Sequence, residues 1–550
     1  MITTKQSYLQ IHPKDNVLVA LQDQEAGTGI YFNGQEFPLR ETVQAKHKFT
    51  AADFAPGAEV YMYGVLVGKT TCALPAGSLL TTENLKHAAQ DFAQRTGQYE
   101  WQAPEVSKWK DRTFMGYHRA DGQVGTRNYW LVLPLVFCEN RNIETLKNAF
   151  LKELGYASPD KYQAQVRELA DLYRQGKDLR EYKPNKPSES AAQHRLFPNV
   201  DGVKFIVHDG GCGGTREDAD NLCALLAGYC VNPNVAGITV LSLGCQHAQV
   251  AILQEKIKER DPDFSKPLLI FEQQQAASES LMLSEAILQT FIGIAEANHC
   301  ERKPATLDKL VIGVECGGSD GFSGISANPA VGYTADLVAA LGGKVVLSEF
   351  PELCGVEQEL INRCVDEETA DRFVRLMREY AARAEAVGSG FDMNPSPGNI
   401  RDGLITDAIK SAGAAKKGGT SPVTDVLGYG QYVRKRGLTL LCTPGNDVES
   451  TTAMAGAGCN VQLFTTGLGT PTGNPVSPVV KVATNTSLAN RLPDIIDLNA
   501  GAVISGDKTI EELGEEYLEY IIGLASGEYD TKAMELGQDD FIFWKRGVSL

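Results

Sequence analysis

Three apolar runs in this chain end in glycine and cysteine. "FIVHDGGCGGTRED" (205–218) carries His208 and Cys212, "LSLGCQHAQ" (241–249) carries Cys245 and His247, and "IGVECGGSDGFSG" (312–324) carries Cys316 and Asp320. A thiolate is a soft ligand that suits iron, zinc or an iron–sulfur cluster. A glycine beside it lets the backbone approach a metal or a substrate closely. Cys138 closes an earlier apolar run. A cysteine at a strand end also serves as a small buried hydrophobe. Three in parallel contexts point to one site, but the spacing is far from Cys-x-x-Cys and leaves both readings open. His208 and His247 flank two of the thiols and are suited to ligate a metal or exchange a proton near neutral pH. Glu349 and Glu352 in "LSEFPE" join Asp320 as carboxylates fit for a hard cation or a proton. The alternative for each is a turn or helix cap.

Basic residues recur at turns as well. Arg127 sits in "GYHRADGQVGTRNYW" (116–130), where a guanidinium fork would clamp a carboxylate or simply face solvent. "QIHPKDNV" and "QAKHKFTAAD" place His12, His47 and Lys48 in one region, a set that would hold an acid if it converged. "TTGLGTPTGNP" is not a nucleotide-binding loop: it lacks both the GxGxxG spacing and a following Lys. No GxGxxG with an acid about 20 residues on appears after a strand, so no nicotinamide cofactor is expected.

The elements that must position these residues fall into segments. Up to residue 97, short β-like runs such as "NVLVALQD", "TGIYF" and "EVYMYGVLVGKT" alternate with Gly, Pro and Asp. Residues 98–113 are polar and aperiodic, as a linker would be. "NYWLVLPLVF" (128–137) reads as a buried strand followed by helix to about residue 176, and the Pro- and Ser-rich stretch 176–195 reads as a surface loop. From Val203 onward strand, Gly-rich turn and helix repeat: "VKFIV", "GITVLSL", "PLLIF", "KLVIGV", "GKVVLSEF", "LTLLC", "VQLFTT". Such alternation predicts a parallel sheet covered by helices on both faces, with ligands at the carboxyl ends of its strands. The Gly-Cys turns lie at those ends.

Composition bounds the rest. The chain has 550 residues, 43% of them hydrophobic, with a net charge of −17. That charge argues against nucleic acid as a partner, and an anionic substrate would need a local cationic cluster. Twelve cysteines in this length are too sparse for a disulfide scaffold and suit a reducing compartment. No uninterrupted apolar stretch reaches about 18 residues, so no membrane span is expected. No basic start followed by an apolar core opens the sequence, and a cytoplasmic location is expected.

Taken in order, these motifs resemble the altronate and galactarate dehydratase family. "IHPKDNVLVAL" with "KHKF" and "YGVLVGK" is similar to its N-terminal domain. "FMGYHRADGQVGTRNYWLVLP", "DGVKFIVHDGGCG", "LAGYCVNPNVAGITVLSLGC", "ECGGSDGFSGISANPA", "LSEFPELCG", "NPSPGN", "KGGTSPVTDV", "FTTGLGTPTG", "PVVKVATNT" and "DIIDLNAG" follow collinearly from about residue 10 to about 505. The resemblance implies an α/β protein. A small N-terminal β-clip, SAF-like domain (1–97) and the linker (98–113) precede a second segment suited to dimerisation (114–200) and a catalytic domain with a variant Rossmann-like parallel sheet (201–550). It implies a homodimer that dehydrates a sugar acid, most closely D-altronate to 2-keto-3-deoxy-D-gluconate, with galactarate as the alternative substrate. A non-catalytic sugar-acid binder is the remoter alternative. It also implies a divalent metal, usually iron, with Mn²⁺ as the other candidate; an iron–sulfur cluster with three thiolates and one open iron is a variant reading of the cysteines themselves. On that basis Cys212, Cys245 and Cys316 are expected to hold the metal, with Asp320 near. His208, His247, His47 and Lys48 are expected to serve catalysis, and His12, Arg127, Asp320 and Glu349 to bind substrate. The chain departs from the family pattern at Gly244-Cys245-Gln246, where many members have Glu after the Cys. An acidic role there would pass to His247.

Overall fold

The computed structural model describes residues 7–157, 161–184 and 194–549. Part of the polar stretch 176–195, expected as a surface loop, lies outside the described residues.

The first unit is built of short antiparallel strands. Tyr8–Leu9, Val17–Ala20 and Lys48–Thr50 form one sheet, and Glu59–Met62, Val65–Thr70 and Leu85–Lys86 another. Its hairpins turn on Asn33-Gly34 and Tyr63-Gly64, all four residues at positive φ, as a tight turn matched to strand twist requires. The Asp15 carboxylate accepts the backbone N–H groups of His12, Tyr63 and Gly64, which fixes the second turn.

Beyond the linker a small antiparallel sheet pairs Thr113–His118 with Val124–Gly125 and Lys303–Thr306, and the parallel strands sort into two sheets rather than one. Four strands form the first: β1 (Tyr129–Pro134), β2 (Gly202–Phe205), β3 (Val235–Ser242) and β4 (Leu268–Glu272), in the order β2-β1-β3-β4. A boundary at residue 200 therefore falls inside one sheet, since β1 pairs with both β2 and β3. Helices α1 (Asn140–Glu153), α2 (Arg216–Val231), α3 (Val250–Arg260) and α4 (Glu279–Ala297) connect or flank these strands. Helix α4 is, among the described residues, long and apolar enough by length and composition to cross a bilayer. It packs here on the sheet through Met282, Ala286, Thr290 and Ile294. At Gly293 an added Cβ would stand 2.1 Å from the Trp130 ring.

The second sheet has seven parallel strands: β5 (Val311–Cys316), β6 (Lys344–Leu347), β7 (Val423–Leu427), β8 (Gly437–Leu441), β9 (Val461–Thr466), β10 (Val479–Ala483) and β11 (Leu498–Asn499). Their order is β7-β8-β6-β5-β9-β10-β11. Helices α5 (Ala327–Ala340), α6 (Asp407–Ala414), α7 (Asp447–Gly456) and α8 (Ile510–Ser526) accompany it. β5, β6, β8 and β9 are buried almost throughout, as expected of strands covered on both faces. The chain crosses from one side of β5 to the other, so the β5/β9 junction is a topological switch point, where open α/β sheets bind ligands.

Buried amides join the two sheets. Asn234 accepts from the Thr126 N–H and donates to the carbonyls of Asn460 and Val476. Arg127, expected to clamp a substrate, is 1% exposed. Its guanidinium donates to the carbonyls of Thr126, Leu524 and Tyr529 and to Asp530, so it closes the end of α8 against β1. Its donors are spent on the fold. Replacing Arg127 with Met leaves those carbonyls unpartnered and should destabilise the protein by about 2–4 kcal/mol. Urea denaturation checks this, with turnover per folded molecule unchanged.

Candidate active site

At the switch point the chain buries a nest of charge. β5 ends in Glu315 and Cys316; β6 runs into Ser348, Glu349 and, one turn on, Glu352. Lys410 comes from α6, Lys417 from the turn after it, and Asp447 from the first turn of α7. Glu349 adopts a left-handed backbone at φ 65°, uncommon for a residue with a side chain. Its N–H donates to Thr443 Oγ1 at 2.8 Å.

The nest is wired through Lys417. Its Nζ donates to Cys316 Sγ at 2.9 Å and to Glu349 at 2.7 Å. Lys410 Nζ lies 2.5 Å from Glu352 and 2.5 Å from Asn394 Oδ1. The Cys316 thiol donates onward to Glu352 at 3.3 Å. Burial alone would strip the charge from each lysine, but the facing Glu352 and Glu349 outweigh it and hold both ammonium groups above their usual range. Glu352, although buried, is held below the usual carboxylate range by Lys410 and Lys417. Burial and the neighbouring acids push Cys316 up, so it stays a thiol. Burial, and then the Glu349 charge, raise Glu315 well above a normal carboxyl, which keeps it protonated. Serines 348 and 450 donate to its Oε2 at 2.9 and 2.6 Å. Burial and then the Glu352 charge raise Glu349, with Lys417 opposing them, so each ammonium group faces one carboxyl group, Lys410 that of Glu352 and Lys417 that of Glu349. Burial and the Glu349 and Glu352 charges lift Asp447 to about 7.

A second polar cluster adjoins this one and is shared between domains. Asp320, fully buried, accepts from Lys46 Nζ of the small domain at 3.0 Å and from Thr484 at 3.1 Å. Lys46 also pairs with Asp402 at 2.9 Å. Beside it Lys48, 1% exposed, donates to the carbonyls of Gly403 and Lys46 at 2.7 and 2.9 Å. Burial drops its pKa to about 7. The glycine loops between the clusters have no room for side chains: a Cβ on Gly317 would stand 2.0 Å from Asp447 and one on Gly467 2.3 Å from Asp320.

The expected site residues divide accordingly. Cys316, Glu349, Asp320 and Lys48 lie in these clusters. Cys212 and Cys245 are exposed at the strand ends of the other sheet, and among the described residues no close grouping of ligand atoms joins them to Cys316. His247 is exposed beside Cys245. His208 is buried with both ring nitrogens engaged: Nε2 donates to the Pro134 carbonyl at 2.8 Å, and Nδ1 accepts from the Gly210 N–H at 3.1 Å. Burial lowers it to about 4, so it is a neutral strut without a free nitrogen for catalysis. His47 is half-buried, its Nδ1 3.3 Å from the Ala45 carbonyl, and burial lowers its pKa. His12 packs its ring over Gly64 and caps a turn. Glu315, Lys410, Lys417 and Asp447 were not singled out from sequence. Lys417 opens the "KGGTSPVTDV" motif and Glu315 precedes Cys316, so the motifs held the signal.

A divalent cation fits one grouping of these donors. Single ligand atoms of Glu315, Glu349 and Asp447 lie within 4.8 Å of one another. The buried Oε1 atoms of Glu315 and Glu349 have no hydrogen-bond partner. An all-oxygen set of this kind suits a hard divalent cation such as Mn²⁺, Mg²⁺ or Ca²⁺. The mixed set Cys316, Glu349 and Glu352 is equally close, but Lys417 already contacts its sulfur.

Fold and site together define a family. Residues 6–88 match the altronate/galactarate dehydratase SAF domain, 116–298 the D-galactarate dehydratase/altronate hydrolase second domain, and 307–549 the D-galactarate/altronate dehydratase C-terminal domain. The chain belongs to the altronate/galactarate dehydratase family, whose members are hydro-lyases. It is 35% identical over 543 residues to altronate dehydratase of Escherichia coli, covering 99% of this chain and 100% of that one. Altronate dehydratase of Bacillus subtilis is 32% identical over 544 residues, with coverage of 99% and 100%. Galactarate dehydratase (L-threo-forming) of Escherichia coli is 31% identical over 534 residues, with coverage of 96% and 95%.

The burial of His208 generates a pH test. Its pKa in the fold lies below that of an unfolded histidine, so its neutral contacts stabilise at pH 7 and are lost as the pH falls through the interval between the two values. The destabilisation caused by His208→Gln should therefore shrink by about 2 kcal/mol between pH 7 and pH 5, read from denaturation midpoints of both proteins.

Proposed function

We propose that this protein removes water from D-altronate to give 2-keto-3-deoxy-D-gluconate. The observation that carries this reading is the composite site. The small domain brings Lys46 and Lys48 to Asp320 and Gly403, and Asp320 lies on the loop that leaves β5 just after Glu315 and Cys316, so one polyol acid would find cationic anchors and proton-exchanging groups at one end of the sheet. The two altronate dehydratase relatives, matched along the full chain, favour altronate over galactarate.

The chemistry needs a base at C2, relief of the negative charge that builds on the carboxylate, and an acid for the leaving C3 hydroxyl. A divalent cation held by Glu315, Glu349 and Asp447 would supply Lewis acidity toward the substrate carboxylate and the C2 hydroxyl. Lys48 is the base in this reading: with a pKa of about 7 it is half neutral at physiological pH. The proton leaves C2 for Lys48 Nζ, the electron pair forms the C2–C3 double bond, and the C3 oxygen departs as water after taking a proton. The enol then tautomerises to the 2-keto acid. Lys46, held by Asp320 and Asp402, orients Lys48 through its own carbonyl. No step calls for a redox cofactor. A cytoplasmic homodimer is the expected working form.

The deciding experiment follows 2-keto-3-deoxy acid formation anaerobically with ferrous or manganous ion, from D-altronate and from galactarate in parallel. Turnover of altronate supports the reading; turnover of galactarate alone replaces it, and turnover of neither removes it. kcat/KM should rise as the pH passes through about 7. Lys48→Met and Lys48→Arg should each lower kcat by about 10²–10⁴, because Arg keeps the charge but cannot give up its proton.

A further inference from the structure

A second constellation stands on the four-stranded sheet and takes no part in the reaction as read above. Its order, β2-β1-β3-β4, puts a topological switch point between β1 and β3. Cys138 follows β1, Cys212 follows β2 and Cys245 follows β3, so neighbouring strands each present a thiol at the carboxyl edge. All three are free and exposed, whereas Cys223, Cys230 and Cys459, also in the core around the two sheets, are buried.

The loops that carry the thiols are tied together. The Gly210 carbonyl accepts from the Phe137 N–H at 3.1 Å, next to Cys138, and the Gly211 carbonyl accepts from the Ala248 N–H at 3.0 Å, on the Cys245 loop. Glycines at positive φ bracket the thiols: Gly211 and Gly213 around Cys212, and Gly244 before Cys245. A Cβ on Gly211 would meet the Leu135 carbonyl at 2.1 Å, so this turn lies directly on the end of β1. Gln246 is a staple. Its amide accepts from the Gly244 N–H at 2.7 Å and donates to Ser242 and the Ala248 carbonyl. His208 pins the Cys212 turn to the Pro134 carbonyl.

Each loop leads into a helix N-terminus: α1 after Cys138, α2 with its Thr215 cap after Cys212, and α3 after Cys245. Gln274 Nε2, in the turn beyond β4, donates to Cys245 Sγ at 3.2 Å. The three sulfurs are not all within 4.8 Å of one another, whereas thiolates around a single tetrahedral ion with bonds of about 2.3 Å must be nearer than that. A cluster that brings its own bridging sulfides holds its thiolates farther apart.

We propose that Cys138, Cys212 and Cys245 hold an iron–sulfur cluster of the cubane type, each thiol losing its proton as it ligates one iron. The fourth iron has no thiolate among the described residues and is open to an oxygen ligand. This assignment moves the cluster site away from Cys316 and stands whether or not altronate is the substrate.

The test uses the full-length protein, reconstituted anaerobically with ferrous iron and sulfide. Iron and acid-labile sulfide are counted, and visible absorption and the electron paramagnetic resonance of the reduced sample are recorded. The wild type should bind iron and sulfide in equal amounts, with a broad visible absorption. Cys138→Ser, Cys212→Ser and Cys245→Ser should each lose that absorption, or change its resonance, while circular dichroism shows the fold intact. Cys316→Ser should keep it. Absence of a chromophore in the wild type would overturn the proposal. So would its loss in Cys316→Ser with retention in Cys212→Ser, or stoichiometric Zn²⁺ binding with no uptake of iron and sulfide.

Discussion

The ammonium group of Lys417, buried between a thiol and a carboxylate, is the contact on which the larger sheet's chemistry depends. A lone charge at this depth would carry a desolvation cost of several kcal/mol. It is stable because Glu349 and Glu352 face it and the Cys316 sulfur accepts from it, and the carboxylates in turn depend on its charge. The left-handed backbone at Glu349 belongs to the same arrangement: the chain accepts an unfavourable φ to aim that carboxylate inward. Removing one member exposes the rest to an unbalanced field, so the nest functions as a unit.

Two parallel sheets are packed as one body, each with its own switch point and its own set of strand-end residues. Helix α2, which begins beyond Cys212, and helix α7, which begins at Asp447, meet where Gly228 and Gly456 touch. A Cβ on Gly228 would stand 1.8 Å from the Gly456 carbonyl oxygen. The thiol loops and the acid nest are thus carried by helices in direct backbone contact, with little freedom to shift relative to each other.

Local pattern in the sequence was a good guide to elements and a poor one to neighbourhoods. Strand-like runs from "VKFIV" to "VQLFTT" each correspond to a strand, and the Gly-Cys turns do lie at carboxyl ends. Glu349 and Asp320 were legible because they sit on those turns. The sheet each strand joins was not legible, since every parallel βα unit has the same apolar run and glycine turn. Cys316 was therefore grouped with Cys212 and Cys245, although it ends a strand of the other sheet. Lys417 reaches Cys316 across 101 residues of sequence, and Lys410 and Asp447 arrive from helices whose periodicity gives no hint of a buried charge. Arg127 and His208 have the residue types of catalysts, but their hydrogen bonds are spent on the fold, and only tertiary contacts distinguish the two cases.

The small β domain contributes Lys48 to a surface that the large domain closes. A lysine in water binds its proton up to about pH 10.4, whereas this one, once covered, gives it up near 7. Between those values, seating the small domain releases a proton and unseating it takes one up. The association of the two domains is therefore itself a proton-transfer equilibrium, favoured by higher pH, and the covalent tether between them only sets the concentration at which it operates.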